Sequence, residues 1–164
     1  MEPEYLKALE LAHKNAPENK RFFEKLKKKG PKNLDNVCNE LHEKAFEKID
    51  CLKCANCCRT TGPLLLQKDI ERLSKALKLR PAMFLEKYLR MDEDNDHVFK
   101  TMPCPFIGDD NYCTMYEARP NACREYPHTH QRDILQKLKI SYENTMICPA
   151  VAQIAEKLKT IYTV

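Results

Sequence analysis

Nine cysteines stand in 164 residues: Cys38, Cys51, Cys54, Cys57, Cys58, Cys104, Cys113, Cys123 and Cys148. That is several times ordinary usage, yet below the density of small disulfide scaffolds. The count is odd and nothing marks the chain for export, so the set reads as metal ligands or redox groups rather than disulfide staples. Spacing points the same way. The run Cys51-x2-Cys54-x2-Cys57-Cys58 packs four thiols into eight residues. A disulfide needs two Cα atoms in a narrow distance range, which such close neighbours meet only with strain. A metal, by contrast, gathers thiolates from one tight loop. A Cys-x-x-Cys turn aims two thiolates at one point, with backbone N–H groups free to bond the sulfurs. Two overlapping turns present three thiolates on a single concave loop.

The first three spacings are those that bacterial ferredoxins use for a [4Fe–4S] cluster, with a distant Cys-Pro supplying a ligand. Here Cys104-Pro105 and Cys148-Pro149 are both remote Cys-Pro pairs. Four thiolates also make a tetrahedral zinc site. Adjacent Cys57 and Cys58 are expected to project in different directions, serving separate metals or leaving one as a buried thiol. A second block holds Cys104, Cys113 and Cys123, separated by eight and nine residues. Such gaps suit three loops converging on a shared centre. With Cys38 set aside, eight thiolates fill one cluster with spares or two four-thiolate sites.

Arg59 follows Cys58, and Arg119 and Arg124 flank Cys123. Cationic side chains beside thiolates lower thiol pKa values and offset the negative charge of a sulfur-rich centre. The competing reading pairs these arginines with Glu117 and Glu125 for structure alone. His128 and His130 follow the block and read as surface or second-sphere groups ahead of nitrogen ligands. His13, His42 and His97 are isolated and take no role. Tyr116 and Tyr126 are expected to pack over the centre.

The elements that must position these residues are mostly helical. Tyr5, Leu6, Leu9 and Ala12 fit one helix face, and Phe22, Phe23 and Leu26 another that ends at Gly30-Pro31. Leu34, Val37, Cys38, Leu41, Ala45, Phe46 and Ile49 recur at helical spacing, which makes Cys38 a small core residue. From Cys51 the texture turns to loops and prolines. Two short helices are expected between Gln67 and Leu89, then an acidic loop at Asp92 to Asp96 and a short strand at His97-Val98-Phe99. Residues 103–130 hold four prolines and three cysteines, which predicts irregular backbone. Two helices close the chain, near Asp133 to Tyr142 and from Pro149 to Ile161. The fold class is therefore mostly α: a small single domain of helices around a loop-rich cysteine centre, with at most short β-strands. Residues 1–50 form an N-terminal helical segment packed on the core, 51–150 the cysteine-cluster core, and 151–164 a C-terminal helix of the same domain.

Composition narrows the function. Three scattered glycines exclude a Gly-rich phosphate loop or dinucleotide fingerprint. A net charge of +4 is too small to argue for nucleic acid. The run Lys25 to Lys32 carries five lysines, but eleven Lys/Arg against ten Asp/Glu in the first fifty residues make it a solvated helix face. No apolar run approaches the length of a membrane span. The acidic start Met1-Glu2-Pro3-Glu4-Tyr5 is no secretory signal, so the expected location is cytoplasmic.

The motifs CLKCANCCRTTGP, DIERLSKALKLRPAMFLEKYL, PCPFIGDDNYCTMYEARPNACREYP and Cys148-Pro149 occur in an order that resembles the CxxCxxCC cysteine-cluster family of zinc- or iron-chelating proteins. The resemblance runs from Cys51 to about Pro149. It implies that Cys51, Cys54, Cys57, Cys58, Cys104, Cys113, Cys123 and Cys148 are the metal-chelating positions. Ala55 stands at or near a turn where many members carry glycine. One branch is similar to flagellin lysine N-methylases, which are longer and act with S-adenosylmethionine. This chain lacks a Gly-rich loop for that cofactor, so the activity is not carried over.

Three functions remain. The first is a protein holding an iron–sulfur cluster, with a redox, sensing or partner-support role and room for a protein partner. The second is a zinc-stabilised interaction module. The third is a metal-dependent modifying or metal-transfer protein, although no nucleophile, base and oxyanion donor assemble in the sequence. Iron–sulfur ranks ahead of zinc.

Overall fold

Helical periodicity becomes helix nearly everywhere it was read. The computed structural model describes residues 1–163. Its order is α1 (Pro3–Lys14), α2 (Ala16–Lys29), α3 (Leu34–Phe46), α4 (Cys51–Cys54), α5 (Asn56–Thr60), α6 (Gln67–Ala76), α7 (Pro81–Tyr88), β1 (Leu89–Met91), β2 (His97–Phe99), a 3-10 turn (Tyr116–Ala118), α8 (Asn121–Glu125), α9 (Ile134–Thr145) and α10 (Pro149–Ile161). The mostly helical fold with a minimal sheet is thus observed. Pro3, Pro81 and Pro149 open their helices, where a missing N–H costs nothing. Gly30 closes α2 in the left-handed conformation (φ 56°) and donates its N–H to the Leu26 carbonyl. The cysteine run departs from expectation: instead of one loop it forms α4 and α5. Cys-x-x-Cys is also the spacing of one helical turn, with both thiols on one face. No helix among the described residues is long and apolar enough to cross a membrane.

The chain folds as two compact units, one made of residues 1–54 and 127–164, the other of residues 55–126. In the first unit, α10 is the central helix and packs against α1, α3 and α9. Val151, Ile154, Ala155 and Leu158 are buried on it, against Tyr5, Leu34, Ile134 and Leu138. Cys38 is 2% exposed in this core, and burial, with the Asp35 charge adding, pushes its thiol up to about 12. It is a core residue.

One face of α3 holds the segment that leads into α9. Asp35 accepts the backbone N–H groups of Asp133 and Ile134, each at 2.9 Å, which satisfies donors at the start of α9. One turn on, Asn39 donates to the Gln131 carbonyl at 3.5 Å. A further turn on, His42 Nδ1 lies 2.8 Å from the Thr129 hydroxyl, and its ring stacks on His130 at 4.4 Å and on Phe46 at 4.5 Å. His42 had no role in the sequence; only the folded chain brings the 129–134 segment to it.

In the second unit, α6 packs against α7, and α7 against β1 of the β1–β2 ribbon. The strands are antiparallel, with Leu89 opposite Phe99 and Met91 opposite His97. The acidic loop between them is tied by the Asp92 carboxylate, which accepts the N–H groups of Asp94 and Asp96. The core is Leu65, Ile70, Leu73, Phe84, Leu89, Phe99 and Phe106, and Cys104 and Cys113 pack against it.

Burial, with repulsion from His130 adding, holds the His42 imidazole at about 4 instead of 6.5. Above pH 6.5 the ring is neutral in the folded and unfolded chain alike. Between 6.5 and 4 the unfolded chain takes up a proton that the folded one resists, so stability falls as pH falls through that window. Denaturant midpoints measured from pH 7 to pH 4.5 should fall more steeply for wild type than for His42→Gln, which keeps a hydrogen-bonding side chain but does not titrate. Equal slopes would exclude this role.

Candidate metal centre

Three of the thiols stand in the first unit. Cys51 and Cys54 begin and end the single turn of α4. The turn is anchored at Asp50, whose Oδ1 accepts the Leu52 N–H at 2.9 Å and whose own N–H donates to the buried Tyr5 hydroxyl at 3.0 Å. Cys148 is the N-cap of α10 and 9% exposed. Burial pushes its thiol up to about 12, and repulsion from Cys51 and Cys54 adds to this. The N–H groups of Val151 and Ala150 oppose both by bonding its sulfur.

Five stand in the second unit. Between α4 and α5 stands Ala55, held at φ 48° in the left-handed region that glycine favours. Next on α5, the Cys57 and Cys58 sulfurs lie 3.9 Å apart, side by side rather than diverging as expected. The hydrogen bond with Cys57 draws the Cys58 thiol down to about 7, against the opposing burial, and Arg59 lowers it further. The Cys58 carbonyl accepts the Cys104 N–H at 2.9 Å, which fixes the second cysteine block to α5.

Cys104 sits on a tight turn in which the Ile107 N–H donates to the Cys104 carbonyl. Burial pushes its thiol up to about 11; the N–H groups of Phe106 and Ile107 bond the sulfur and pull the other way. Cys113 pairs with Ile107 in an isolated antiparallel bridge. Its thiol is also raised by burial, against a hydrogen bond from the Met115 N–H. Cys123 lies on α8, and burial followed by repulsion from Cys58, Cys104 and Cys113 pushes it up to about 12. One local geometry therefore recurs at Cys104, Cys113 and Cys148: the amide two residues ahead bonds the sulfur, and at Cys104 and Cys148 the amide three ahead does so as well.

The arginines hold the loops that carry these thiols. Arg59 donates to Asn111 Oδ1 through Nε at 3.1 Å and Nη2 at 2.6 Å, securing the turn that precedes Cys113. Arg72 donates to the carbonyls of Ala118 and Arg119 at 3.2 and 2.9 Å. Its Nη2 also meets Asp69 Oδ1 at 2.5 Å. Asp69 is 1% exposed, and the same oxygen accepts the Asn121 N–H at 3.1 Å, two residues before Cys123. Arg124 donates to the carbonyls of Arg119 and Glu117. These arginines bind backbone carbonyls and an amide oxygen rather than the carboxylates of Glu117 and Glu125. They also supply charge: Arg59 lowers Cys58, and Arg119 lowers Cys113 and Cys123. Asp69 and Arg72 went unnoticed in the sequence because an Asp and an Arg three apart on a helix look like an ordinary surface pair.

Tyr116 carries a guanidinium on its ring. It is 55% exposed, with the Arg119 guanidinium 3.6 Å from its ring centre. No disulfide joins the cysteines. Among the described residues, no three His, Cys, Asp or Glu side chains already converge as a metal site. The donor chemistry fits a thiophilic metal, since the repeated amide-to-sulfur bonds favour thiolate at positions where burial opposes it.

A family model described as "Putative zinc- or iron-chelating domain" matches residues 50–149. The match includes Cys51 at one end and Cys148 at the other, and it leaves Cys38 outside. No curated protein and no solved structure gives a significant match to the chain.

Two substitutions test the supports. Asp69→Asn removes the charge that holds Arg72 and the Asn121 amide, and it should lower stability by about 2 kcal/mol and reduce metal retained after dialysis. Denaturation and metal analysis of the same sample would show whether the Cys123 loop depends on it. Ala55→Gly relieves the left-handed strain, and should raise stability by up to about 1 kcal/mol with metal content unchanged; a loss of stability would contradict the strain.

Proposed function

The chain belongs to the CxxCxxCC family, and from that premise we propose that its thiols hold iron in an iron–sulfur cluster, with a redox, sensing or partner-support role. The observation that carries this reading is the amide-to-sulfur geometry repeated at Cys104, Cys113 and Cys148. Each of these sulfurs meets opposed demands. The amides favour the thiolate, while burial and neighbouring thiols favour the neutral form. A bound cation resolves the conflict, because its charge stabilises every thiolate at once and releases the protons. Hydrogen bonds to sulfur are also among the features that set cluster potentials. The Cys51-x2-Cys54-x2-Cys57 spacing and the remote Cys148-Pro149 pair support iron–sulfur over a single ion. The guanidinium groups of Arg59 and Arg119 suit the net negative charge of such a centre. Unbridged thiols in this number call for a reducing compartment, which is the basis for placing the protein in the cytoplasm.

Zinc is the second reading, favoured by one observation. Cys58, Cys104, Cys113 and Cys123 lie in one unit and repel one another's ionisation, a four-sulfur set of the kind that takes tetrahedral zinc. The metal would then stabilise the short elements of residues 100–126.

The visible absorption of anaerobically purified protein, with iron, acid-labile sulfide and zinc measured on the same sample, separates the two. A brown protein with iron and sulfide is the expected result. A colourless protein with stoichiometric zinc would replace it by the structural reading, and absence of both metals would overturn each.

A further inference from the structure

We propose that the groove between α3 and α10 is a docking site for an acidic amphipathic helix of a partner protein. The inference concerns one face of the first unit and is independent of which metal the chain holds.

One helix pair builds the groove. The Tyr162 hydroxyl, at the end of α10, donates to Asn33 Oδ1, at the start of α3, at 2.9 Å. Farther along, Leu41 and Ala45 of α3 share an open cleft of about 260 Å³ with Gln153, Ile154 and Lys157 of α10, so the two helices run antiparallel. The floor of the cleft is apolar: Ala45 and Ile154 are buried there and Leu41 is half-buried. Each side contributes an exposed i,i+4 pair to the walls, Lys44 with Lys48 from the end of α3 and Gln153 with Lys157 from α10.

The charge on these walls has no counterpart within the fold. Among the described residues, Lys44, Lys48 and Lys157 make no ion pair, whereas Lys159, two residues farther on α10, meets both Glu18 and Glu156. Glu47 is the one acid lining the cleft among the described residues, and it is not paired with these lysines. Three positive charges against one negative therefore border an apolar strip.

Recognition of a helix in a groove needs a strip that seats apolar anchors and a rim that selects charge. A guest helix with leucines four residues apart suits the floor. Carboxylates flanking those leucines meet Lys44 and Lys48 on one side and Lys157 on the other. Glu47 repels an acid at its own end of the cleft, which gives the guest a direction. A second copy using the same face would set lysine against lysine. A nucleic acid binds through phosphates and makes no use of the apolar floor.

The test uses the full-length chain with the metal it carries on purification, and follows the fluorescence anisotropy of a labelled synthetic helix. That peptide has leucine at every third or fourth position and glutamate on both flanks. Wild type should bind it with a micromolar Kd that weakens as salt rises. Lys44→Glu combined with Lys48→Glu should weaken binding about tenfold or more. Lys27→Glu combined with Lys28→Glu makes the same change in net charge on α2 and should leave binding unchanged. Far-UV circular dichroism on each variant separates lost binding from lost fold. No binding by wild type, an equal loss from the α2 pair, or undiminished binding of a peptide with serine for leucine would each overturn the proposal. Displacement of the peptide by a single-stranded oligonucleotide at equal concentration would replace the helix by nucleic acid. Wild-type dimers in sedimentation that the Lys44/Lys48 variant fails to form would replace it by a second copy.

Discussion

A thiolate in a buried place needs a positive partner, and much of this structure can be understood from that requirement. The chain places Cys104, Cys123 and Cys148 where burial pushes each thiol up to about 11 or 12. It then aims backbone amides at the sulfurs of Cys104 and Cys148, as though they were charged. Amides alone do not overcome desolvation together with the repulsion of neighbouring sulfurs. A core residue shows the contrast. Cys38 is as strongly desolvated, but it lies on the apolar face of α3 and its nearest charge is the unfavourable one of Asp35. The same residue type is thus a small hydrophobe in one setting and a sulfur met by backbone amides in another, and the local backbone makes the difference.

Holding loops in register without a large core requires polar ties, and these follow a common plan. In the second unit, guanidinium groups bind backbone carbonyls: Arg72 at 118 and 119, Arg124 at 117 and 119. The buried Asp69 carboxylate binds backbone amides at both Leu66 and Asn121. A charged group on a helix can reach the main chain of a loop that has no periodic hydrogen bonding of its own. In the first unit, Asp35, Asn39 and His42 each bind a point on the segment from Thr129 to Ile134 from successive turns of α3, Asp35 as a charge and the other two as neutral groups. The bonds made by Asp35, Asp69 and the arginines are charge-assisted and stronger than neutral ones, so a few suffice.

Much of the helical framework was legible because its cause is local. The apolar faces of α1, α2, α3 and α10, the proline starts of α7 and α10 and the glycine end of α2 all appear in the sequence at the positions the structure uses. The short helices α4, α5 and α8 were not legible, since four or five residues carry no periodicity to read. The role of His42 was equally hidden, because its partners lie 87 residues away at Thr129 and beyond. The arginines beside the cysteines were visible, but their partners were not. Glu117 and Glu125 are close in sequence, yet the guanidinium groups reach carbonyls instead, which no composition reveals.

By itself, the sequence determined the chemistry: eight cysteines with chelating spacing, set in a mostly helical chain, with a ninth placed on an apolar stripe. Residue type and separation along the chain are enough for that, because a thiol's affinity for soft metals and the reach of a Cys-x-x-Cys turn are local properties. Tertiary structure alone decided which thiols keep company. Cys148 has Cys51 and Cys54 among its electrostatic neighbours, and Cys123 has Cys58, Cys104 and Cys113. The boundary between the two compact units falls inside the continuous motif, after Cys54. Which sulfurs become neighbours depends on contacts far apart in the chain, and residue spacing does not reveal those.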